Sequence, residues 1–306
     1  MIRTYVGVTD REWFDFLRKR PEVNEINFWQ PSGKTQFRAL QPGEMFLFKL
    51  HSPLNYIVGG GVFAHSSILP ISLAWEAFGL GNGASDLMEM KRKVAKYRRT
   101  QVSHFEDYKV GCILLEQPFF FAEKDWIPIP SDWKPNIVSG KGYDLSVQPG
   151  RGLWSEVSAR IAQRSGESAA LEVPAYGEPV LVTPRLGQGA FRVLVTDGYQ
   201  RRCAFSGERT LPALDAAHIK PFSLEQSHRV KNGILLRKDI HALFDSGYVT
   251  VSPDFHIEVS RRIKEEFENG RDYYKLHGTE MRMPVRPEMK PAVSALVWHN
   301  EEVYRG

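Results

Sequence analysis

The sequence is poor in cysteine and has no long apolar run. Its two cysteines, Cys112 and Cys203, lie far apart without a CxxC pair, so a disulfide framework and a cysteine-based zinc knuckle are poorly supported. No stretch of about 18 apolar residues is present, which argues against a membrane span. The first residues contain no apolar signal core, and the chain has no internal repeat. These absences predict a cytoplasmic location and no membrane partner.

The composition is that of a globular protein with unevenly distributed charge. The 306 residues, 42% hydrophobic and 25% charged, are enough for two domains with separate cores. The formal net charge is +4, yet residues 185–238 carry ten basic side chains against four acidic ones. Residues 1–184 are almost balanced, with 21 basic and 20 acidic side chains. The basic segment suits a phosphate-backbone substrate, and a merely solvated surface explains it equally well.

Hydrophobic pattern and composition divide the chain into three parts. Residues 1–150 combine short apolar runs with helical patterns and are expected to form a mixed α+β domain. Its predicted strands are 45–50, 56–63 and 112–115, and its predicted helices are 10–17 and 85–97. Residues 151–184 are expected to be a linker with a short helix at 154–163, because serine, glycine, alanine and proline dominate its second half. Residues 185–306 form the last predicted domain.

The last domain holds the side chains that carry chemistry. Its pattern predicts a helix at 190–199, a strand at 214–219, a helix containing His241 and a hairpin over 247–259. Within it, His218, Asn232 and His241 follow one another in that order, and Asp245 comes four residues after the last of them.

This order of residue types suits the cleavage of a phosphodiester bond. The reaction needs a base for water, an electrophile for the pentacovalent charge and assistance for the leaving 3′ oxygen. A neutral imidazole at His218 can be the base, and we expect a backbone carbonyl to orient its other ring nitrogen. Asn232 is expected to tie the intervening loop through its amide. His241 completes the predicted catalytic set.

The predicted metal ligands are Asp215, His241 and Asp245. His241 and Asp245 lie one helical turn apart and share a face, and Asp215 approaches from the strand side. Mixed nitrogen and oxygen ligands admit Mg²⁺, Mn²⁺, Ni²⁺ or Zn²⁺, so the metal stays open. The predicted DNA contacts lie near a helix start and beside the base: Arg185, Gln188, Arg192 and Lys220. His228 and His256 lack such a context and are interpreted as surface or packing residues.

Residues 184–262 resemble the HNH (ββα-metal) endonucleases of the restriction-enzyme type. Five blocks carry the resemblance: 184–192 (PRLGQGAFR), 202–207 (RCAFSG), 216–221 (AAHIKP), 232–236 (NGILL) and 241–247 (HALFDSG). The resemblance implies that His218 is the base, Asn232 orients the loop, and His241 and Asp245 bind metal. Many members carry a ligand immediately before the base, where this chain has Ala217, so Asp215 is the expected substitute.

The first domain resembles the PUA-like (EVE, ASCH and YTH) readers of modified bases in its strand pattern. The segments that carry this resemblance are 27–31, 42–50 and 57–63. It implies a strand-rich barrel with helices that holds a flipped base between aromatic rings. The predicted pocket residues are Trp29, Phe63, Trp75 and Trp126, with Trp133 as a further candidate. For each of these rings, the alternative is that it only packs in the hydrophobic core.

The combined expectation is a metal-dependent DNA endonuclease of the restriction or phage-defence type. It would cleave double-stranded DNA that carries modified cytosine, flipped into the first domain. One alternative is an HNH nuclease directed to phosphorothioate DNA or to an unmodified sequence. Another is an inactive HNH-fold protein that only binds nucleic acid, which the complete set of site residues disfavours. With one site per chain, cutting both strands requires a homodimer or sequential nicking.

Overall fold

The α+β class predicted from the sequence is confirmed by a computed structural model that describes residues 2–98, 106–165, 179, 181–225 and 228–306. The chain divides into two units, Met1–Ala190 and Phe191–Gly306. The predicted short helix is present as part of a longer one, whereas most of the Ser/Gly/Pro-rich passage, at 166–178 and 180, lies outside the described residues. Across the described ranges, no helix is both long and apolar enough to span a membrane.

The first unit is built on strands that the apolar runs predicted. Its strands are β1 (Arg3–Thr9), β2 (Glu25–Gln30), β3 (Met45–Leu50), β4 (Tyr56–Pro70), β5 (Lys109–Phe120), β6 (Ile127–Pro128) and β7 (Gly140–Asp144). Its helices are α1 (Arg11–Arg18), α2 (Ile71–Phe78), α3 (Leu87–Tyr97) and α4 (Gly150–Ser165). Asp10 caps α1 by accepting the backbone N–H of Trp13, and Asp86 caps α3 in the same way through Glu89. The two predicted helices therefore begin where a capping side chain stands.

The strand-rich barrel expected for this unit is not formed in the part of the unit that the structure describes. The strands there form an open sheet. The strand order is β2-β5-β4-β3-β1-β7, with β6 pairing to β4, and the path does not return from β7 to β2. Among the strands of the described residues, only β1 and β3 pair in parallel. The long β4 passes close to β5, and a side chain on Gly59 would lie 2.2 Å from the backbone oxygen of Phe119. Glycine at this position therefore lets two strand backbones approach.

Two layers of apolar side chains cover the faces of the sheet. On one face, Val6, Leu47 and Val62 belong to the same buried cluster as Leu153 and Val157 of α4. The other face is aromatic and includes Phe28, Phe46 and Phe48. The ring of Trp13 packs against Phe28 and Phe48. Complete burial of a side chain of this size contributes about 1.5–3 kcal/mol to folding. This sheet is the rigid support for the cavity described below.

A pair of carboxylates lies at one end of the β2–β5 pairing. Glu25 stands opposite Glu116 in the strand register, and Glu116 is only 1% exposed. Glu25 accepts the backbone N–H groups of Gly189 and Ala190 at 2.8 and 2.9 Å. Burial, reinforced by the charge of Glu25, raises the pKa of Glu116 to about 8, although a hydrogen bond from the Gly187 N–H opposes the shift.

The second unit carries the small sheets and helices of the last predicted domain. Its helices are α5 (Gln188–Gly198, which begins before the boundary), α6 (Phe222–Glu225), α7 (Lys238–Asp245), α8 (Arg262–Phe267), α9 (Arg271–Tyr274) and α10 (Val293–Glu302). Its strands are β8 (Leu214–His218), β9 (Gly233–Arg237), β10 (Val249–Val251) and β11 (Ile257–Val259). The predicted hairpin is confirmed as the antiparallel pair β10–β11. An apolar core beneath α7 includes Phe191, Leu235, Ile240, Phe244 and Leu296.

Candidate active site

Two antiparallel strands and the helix that follows them carry the candidate site. β8 pairs with β9 so that His218 lies opposite Gly233. In β8, Leu214 and Ala217 are buried, whereas Asp215 and His218 remain half-buried beside them. β9 is buried along almost its whole length, which explains its uninterrupted apolar run. The buried positions anchor the strands, and the half-buried ones are left for chemistry.

Helix α7 places its polar residues one position beyond its core residues. Ile240 and Phe244 are fully buried at i, i+4 spacing, and His241 and Asp245 follow each of them by one residue. The polar pair therefore forms a stripe next to the buried stripe. Because α7 begins directly after β9, packing of the helix also fixes the direction of His241 relative to the strands.

Asn232 closes the loop between the two strands. It is 4% exposed, its Oδ1 accepts the backbone N–H of Lys220 at 2.8 Å, and its Nδ2 donates to the backbone oxygen of Lys220 at 2.8 Å. Its own backbone oxygen accepts the N–H of Ile219 at 2.9 Å. These three bonds hold the chain immediately after His218. The two bonds made by the side-chain amide connect the ends of the loop, as the sequence predicted for Asn232.

The imidazole of His241 lies between two carboxylates. Its Nδ1 is 3.4 Å from Asp215 Oδ2, and its Nε2 is 3.3 Å from Asp245 Oδ2. Burial disfavours the charged ring, but the hydrogen bond to Asp215 and the charges of both carboxylates outweigh it and raise the pKa of His241. Burial likewise opposes ionisation of Asp215, yet His241 and the guanidinium of Arg192, 3.6 Å away, lower its pKa. Burial raises the pKa of Asp245.

His218 is held as a neutral imidazole. Its ring stacks on Phe191, with centroids 4.0 Å apart and planes inclined by 11°. Burial, together with the neighbouring imidazoles of His228 and His241, lowers the pKa of His218 to about 4. At neutral pH the ring therefore carries a lone pair with which it can accept a proton.

The partner of His218 differs from the backbone carbonyl expected from the sequence. His218 Nε2 lies 3.1 Å from Nδ1 of His228, a residue that the sequence reading assigned to surface or packing. The two residues are ten positions apart in sequence, and their contact depends on how the loop folds back. The spacing of the two residues does not predict the path of that loop. The nearby Phe222, whose ring stacks on His228, offers only a weak signal in the sequence.

A cavity of about 260 Å³ opens beside these residues. Its walls include His218, His241, Asp245, Phe222 and His299. The ring of His299 is buried, with Nδ1 2.7 Å from Thr250 Oγ1 and Nε2 3.1 Å from the backbone oxygen of Phe244. Since both of its nitrogens are engaged, His299 serves as a wall of the cavity.

The donor types around His241 suit a hard or borderline divalent cation, because carboxylate oxygens and an imidazole nitrogen come together there. The two carboxylates, however, face opposite nitrogens of the ring. Within the described ranges, no group of three or more His, Cys, Asp or Glu side chains is arranged to hold one ion. Asp215, His241 and Asp245 thus fit such a cation in chemistry, and their roles as ligands stay a prediction.

The four predicted DNA contacts are divided between the units. Arg192 lies at the site beside Asp215, and Lys220 follows His218 by two residues, with its Nζ 5.6 Å from the ring of Trp298. Arg185 and Gln188 are exposed residues of the first unit. The structure therefore places Arg192 and Lys220 near the predicted catalytic residues, and their contact with DNA stays a prediction.

The first unit contains a larger cavity, of about 450 Å³, with aromatic walls. Its lining includes Trp13, Phe28, Trp29, His51 and Tyr97, with Asp10, Gln30 and Thr35 as polar members. The rings of His51 and Tyr97 lie almost parallel at 7°, and Trp29 approaches Tyr97 at 6.3 Å. The Tyr97 hydroxyl donates to Asp10 at 3.2 Å, and burial together with this carboxylate raises the pKa of Tyr97 to about 12. The pocket thus combines flat apolar surface with a few hydrogen-bonding groups.

One of the four predicted pocket residues, Trp29, lines this cavity. Phe63 is buried against Phe37, and Trp126 packs edge-on against Phe14. Trp75 is a half-buried residue of α2. The sequence reading missed the rings of Trp13, His51 and Tyr97, because their convergence depends on how α1 and α3 pack on the sheet.

Comparisons with known proteins give a family-model match to one segment of the chain and similarity to several solved structures. Residues 203–252 match the family model of the HNH endonucleases. Among solved structures, the chain is similar to a tyrosine-to-phenylalanine variant of the ASCH protein from Zymomonas mobilis (11% identity, TM-score 0.34, covering 50% of this chain and 96% of that one). The unmodified ASCH protein from the same organism gives 10% identity and a TM-score of 0.31, covering 47% and 89%. The modification-dependent TagI restriction endonuclease gives 12% identity and a TM-score of 0.27, covering 92% and 75%. No curated protein matches the chain.

The matched segment contains β8, β9, α7 and β10 in full. It therefore includes the strand with His218, the loop closed by Asn232 and the helix with His241. Residues 203–252 form an HNH endonuclease domain, and the chain that contains them is a nuclease.

Proposed function

We propose that the protein is a metal-dependent DNA endonuclease of the restriction or phage-defence type that cleaves DNA containing modified cytosine. The proposed cleavage of DNA rests on one observation: the neutral, oriented imidazole of His218 lies next to the Asp215–His241–Asp245 cluster in the segment that matches the family model. Such a role would place the protein in the cytoplasm, where incoming DNA would meet it.

In the proposed reaction, His218 takes a proton from water as the water oxygen bonds to phosphorus. The bond between phosphorus and the 3′ oxygen then breaks, and the 3′ oxygen takes a proton from solvent, which leaves a 5′ phosphate and a 3′ hydroxyl. A divalent cation, when bound, supplies positive charge for the pentacovalent phosphate and the leaving oxygen. Asp215, His241 and Asp245 are the side chains that would hold it. Asn232 keeps the β8–β9 loop closed so that His218 stays in place.

Support for modified-base recognition comes from the aromatic cavity of the first unit. A base flipped out of DNA needs flat surfaces for stacking and hydrogen-bonding groups for its edge. Trp29 and Tyr97 offer the first, and Asp10, Gln30 and Thr35 offer the second. The cavity volume of about 450 Å³ lies in the range of small-molecule sites. We therefore assign base capture to this cavity.

The proposal is tested with matched plasmids that contain cytosine, 5-methylcytosine, 5-hydroxymethylcytosine or phosphorothioate linkages, each with Mg²⁺, Mn²⁺, Ni²⁺ or Zn²⁺. We expect cleavage of a modified-cytosine plasmid, and His218→Ala should abolish it while leaving DNA binding intact. Equal cutting of all plasmids would refute modification dependence, and preferential cutting of phosphorothioate DNA would favour that alternative. No cutting of any plasmid would favour a binding-only protein.

The cavity assignment is tested in the same assay with paired substitutions. Tyr97→Leu and Trp29→Leu should remove the preference for modified plasmid, whereas Trp75→Leu, at a half-buried helix position away from the cavity lining, should keep it. A preference that survives both cavity substitutions would return these rings to a packing role. Nicked plasmid that accumulates before linear product would indicate sequential cuts, and cooperative dependence on protein concentration would indicate a homodimer.

A further inference from the structure

We propose that His228 is a positioning residue for His218, fixing its tautomer and receiving the proton that His218 gains. This inference rests on the proposed role of His218 as the base. It starts from the 3.1 Å separation between His218 Nε2 and His228 Nδ1. At that distance one nitrogen donates a hydrogen to the other.

Only one direction of this hydrogen bond leaves His218 able to act as a base. If His228 Nδ1–H donated, the Nε2 lone pair of His218 would be occupied and its Nδ1 would bear the hydrogen. If His218 Nε2–H donates, its Nδ1 keeps a free lone pair. His228 then has its own hydrogen on Nε2 and accepts through Nδ1. The second arrangement is the one that allows His218 to accept a proton from water.

Stacking on both rings restricts this pair to a narrow set of orientations. Phe191 lies flat against His218, at 4.0 Å and 11°. Phe222 lies flat against His228, at 4.3 Å and 13°. Stacking fixes the plane of each imidazole but still permits a 180° flip about its Cβ–Cγ bond. The contact between the two nitrogens selects one of the two flip states for each ring. Two phenyl rings and one hydrogen bond thus fix the orientation of the His218 ring and with it the direction of its Nδ1 lone pair.

The pair also gives the proton a path away from the reaction. When His218 Nδ1 takes a proton from water, its Nε2 proton can pass to His228 Nδ1. His218 is then neutral with hydrogen on Nδ1, and the positive charge lies on His228. His228 is half-buried and can release its Nε2 proton to solvent. The starting tautomers return when His228 takes a solvent proton on Nε2, its Nδ1 proton moves back to His218 Nε2, and His218 Nδ1 releases its proton to solvent. The titratable groups facing His218 are His228 and His241, which disfavour its cation, and Asp215, which favours it.

The test compares His228→Asn, His228→Gln and His228→Ala in the full chain. An asparagine amide reaches the position of Nδ1 and can accept the bond, whereas a glutamine amide reaches the position of Nε2. We expect His228→Asn to keep most of the cleavage rate. The cleavage rates of His228→Gln and His228→Ala should fall by about 10- to 100-fold, which is the usual effect of removing a side chain that orients a functional group through a hydrogen bond. His256→Ala is the matched control, since that ring is exposed and pairs with Asp254, and it should cleave normally.

A second readout separates orientation from packing. Nitrogen-15 NMR of histidine-labelled protein should show His218 protonated on Nε2 alone in the wild type and in His228→Asn, and a mixture of tautomers in His228→Ala. A wild-type His218 with hydrogen on Nδ1, or an unchanged tautomer in His228→Ala, would overturn the proposal. Because the NMR result needs no substrate, it decides the role of His228 even if the wild type cuts no DNA.

Discussion

The buried carboxylate of Glu116 makes the first unit sensitive to pH in a direction opposite to that of ordinary surface acids. Its pKa is raised to about 8 by burial and by the charge of Glu25, against an unfolded value of 4.5. Between these two values the folded protein holds a proton that the unfolded chain has released. Stability must therefore be fully present below about pH 4.5 and must decline as the pH rises towards 8.

The size of this decline follows from the difference between the two pKa values. A shift of one unit corresponds to about 1.4 kcal/mol, so the folded state loses at most about 5 kcal/mol between pH 4.5 and pH 8. Glu116→Gln keeps an acceptor for the Gly187 N–H and removes the ionisation. We expect it to match the wild type near pH 5 and to exceed it by about 2–5 kcal/mol in free energy of unfolding at pH 8.5.

Urea unfolding followed by tryptophan fluorescence is the appropriate assay, because six of the seven tryptophans belong to the first unit. Glu116→Leu is a second variant that removes ionisation and also the acceptor. It should show the same dependence on pH as Glu116→Gln, with a stability lower by about 1–3 kcal/mol at each pH because the Gly187 N–H loses its partner. A difference between wild type and Glu116→Gln that stays constant from pH 5 to 8.5 would refute the reasoning.

Two further predictions concern the candidate site. Asn232→Ala should destabilise the second unit by about 2–4 kcal/mol in urea unfolding, because both backbone groups of Lys220 lose their hydrogen-bond partners. The variant should also fail to cleave DNA. A fully active variant would mean that the loop holds its shape without this side chain. Asp245→Asn should lower the pKa of His241 in metal-free protein, since the carboxylate is one of the charges that raise it; an NMR titration of the ring measures this, and an unchanged midpoint would contradict the contact.

The sequence predicted the parts of the site that depend on short-range periodicity. The i, i+4 spacing of His241 and Asp245 survives in any α-helix, so their common face follows from spacing alone. The approach of Asp215 to His241 needed one more assumption, that β8 lies against α7, and the structure places them 3.4 Å apart.

The remaining features depend on tertiary packing that periodicity does not encode. The contact between His218 and His228 arises from the path of a loop, and nothing in the spacing of the two residues specifies it. In the first unit, the strands were predictable as apolar runs, but the predicted barrel was wrong, because strand order and closure are set by long-range pairing. The cavity lining shows the same limit: Trp29 was among the predicted pocket residues and lines the cavity, but Tyr97, from a helix distant in sequence, was missed.

The ββα arrangement also has a consequence for the order in which the protein folds. Asp215, His218, Asn232 and His241 lie on consecutive elements from β8 to α7, so their contacts close only short loops. Contacts between residues near in sequence form sooner than distant ones, because less chain entropy is lost in making them. The cavity wall formed by His299 belongs to α10, which follows α7 by 48 residues in sequence. During synthesis the side chains of the candidate site can thus assemble first, and their enclosure must wait until α10 has left the ribosome.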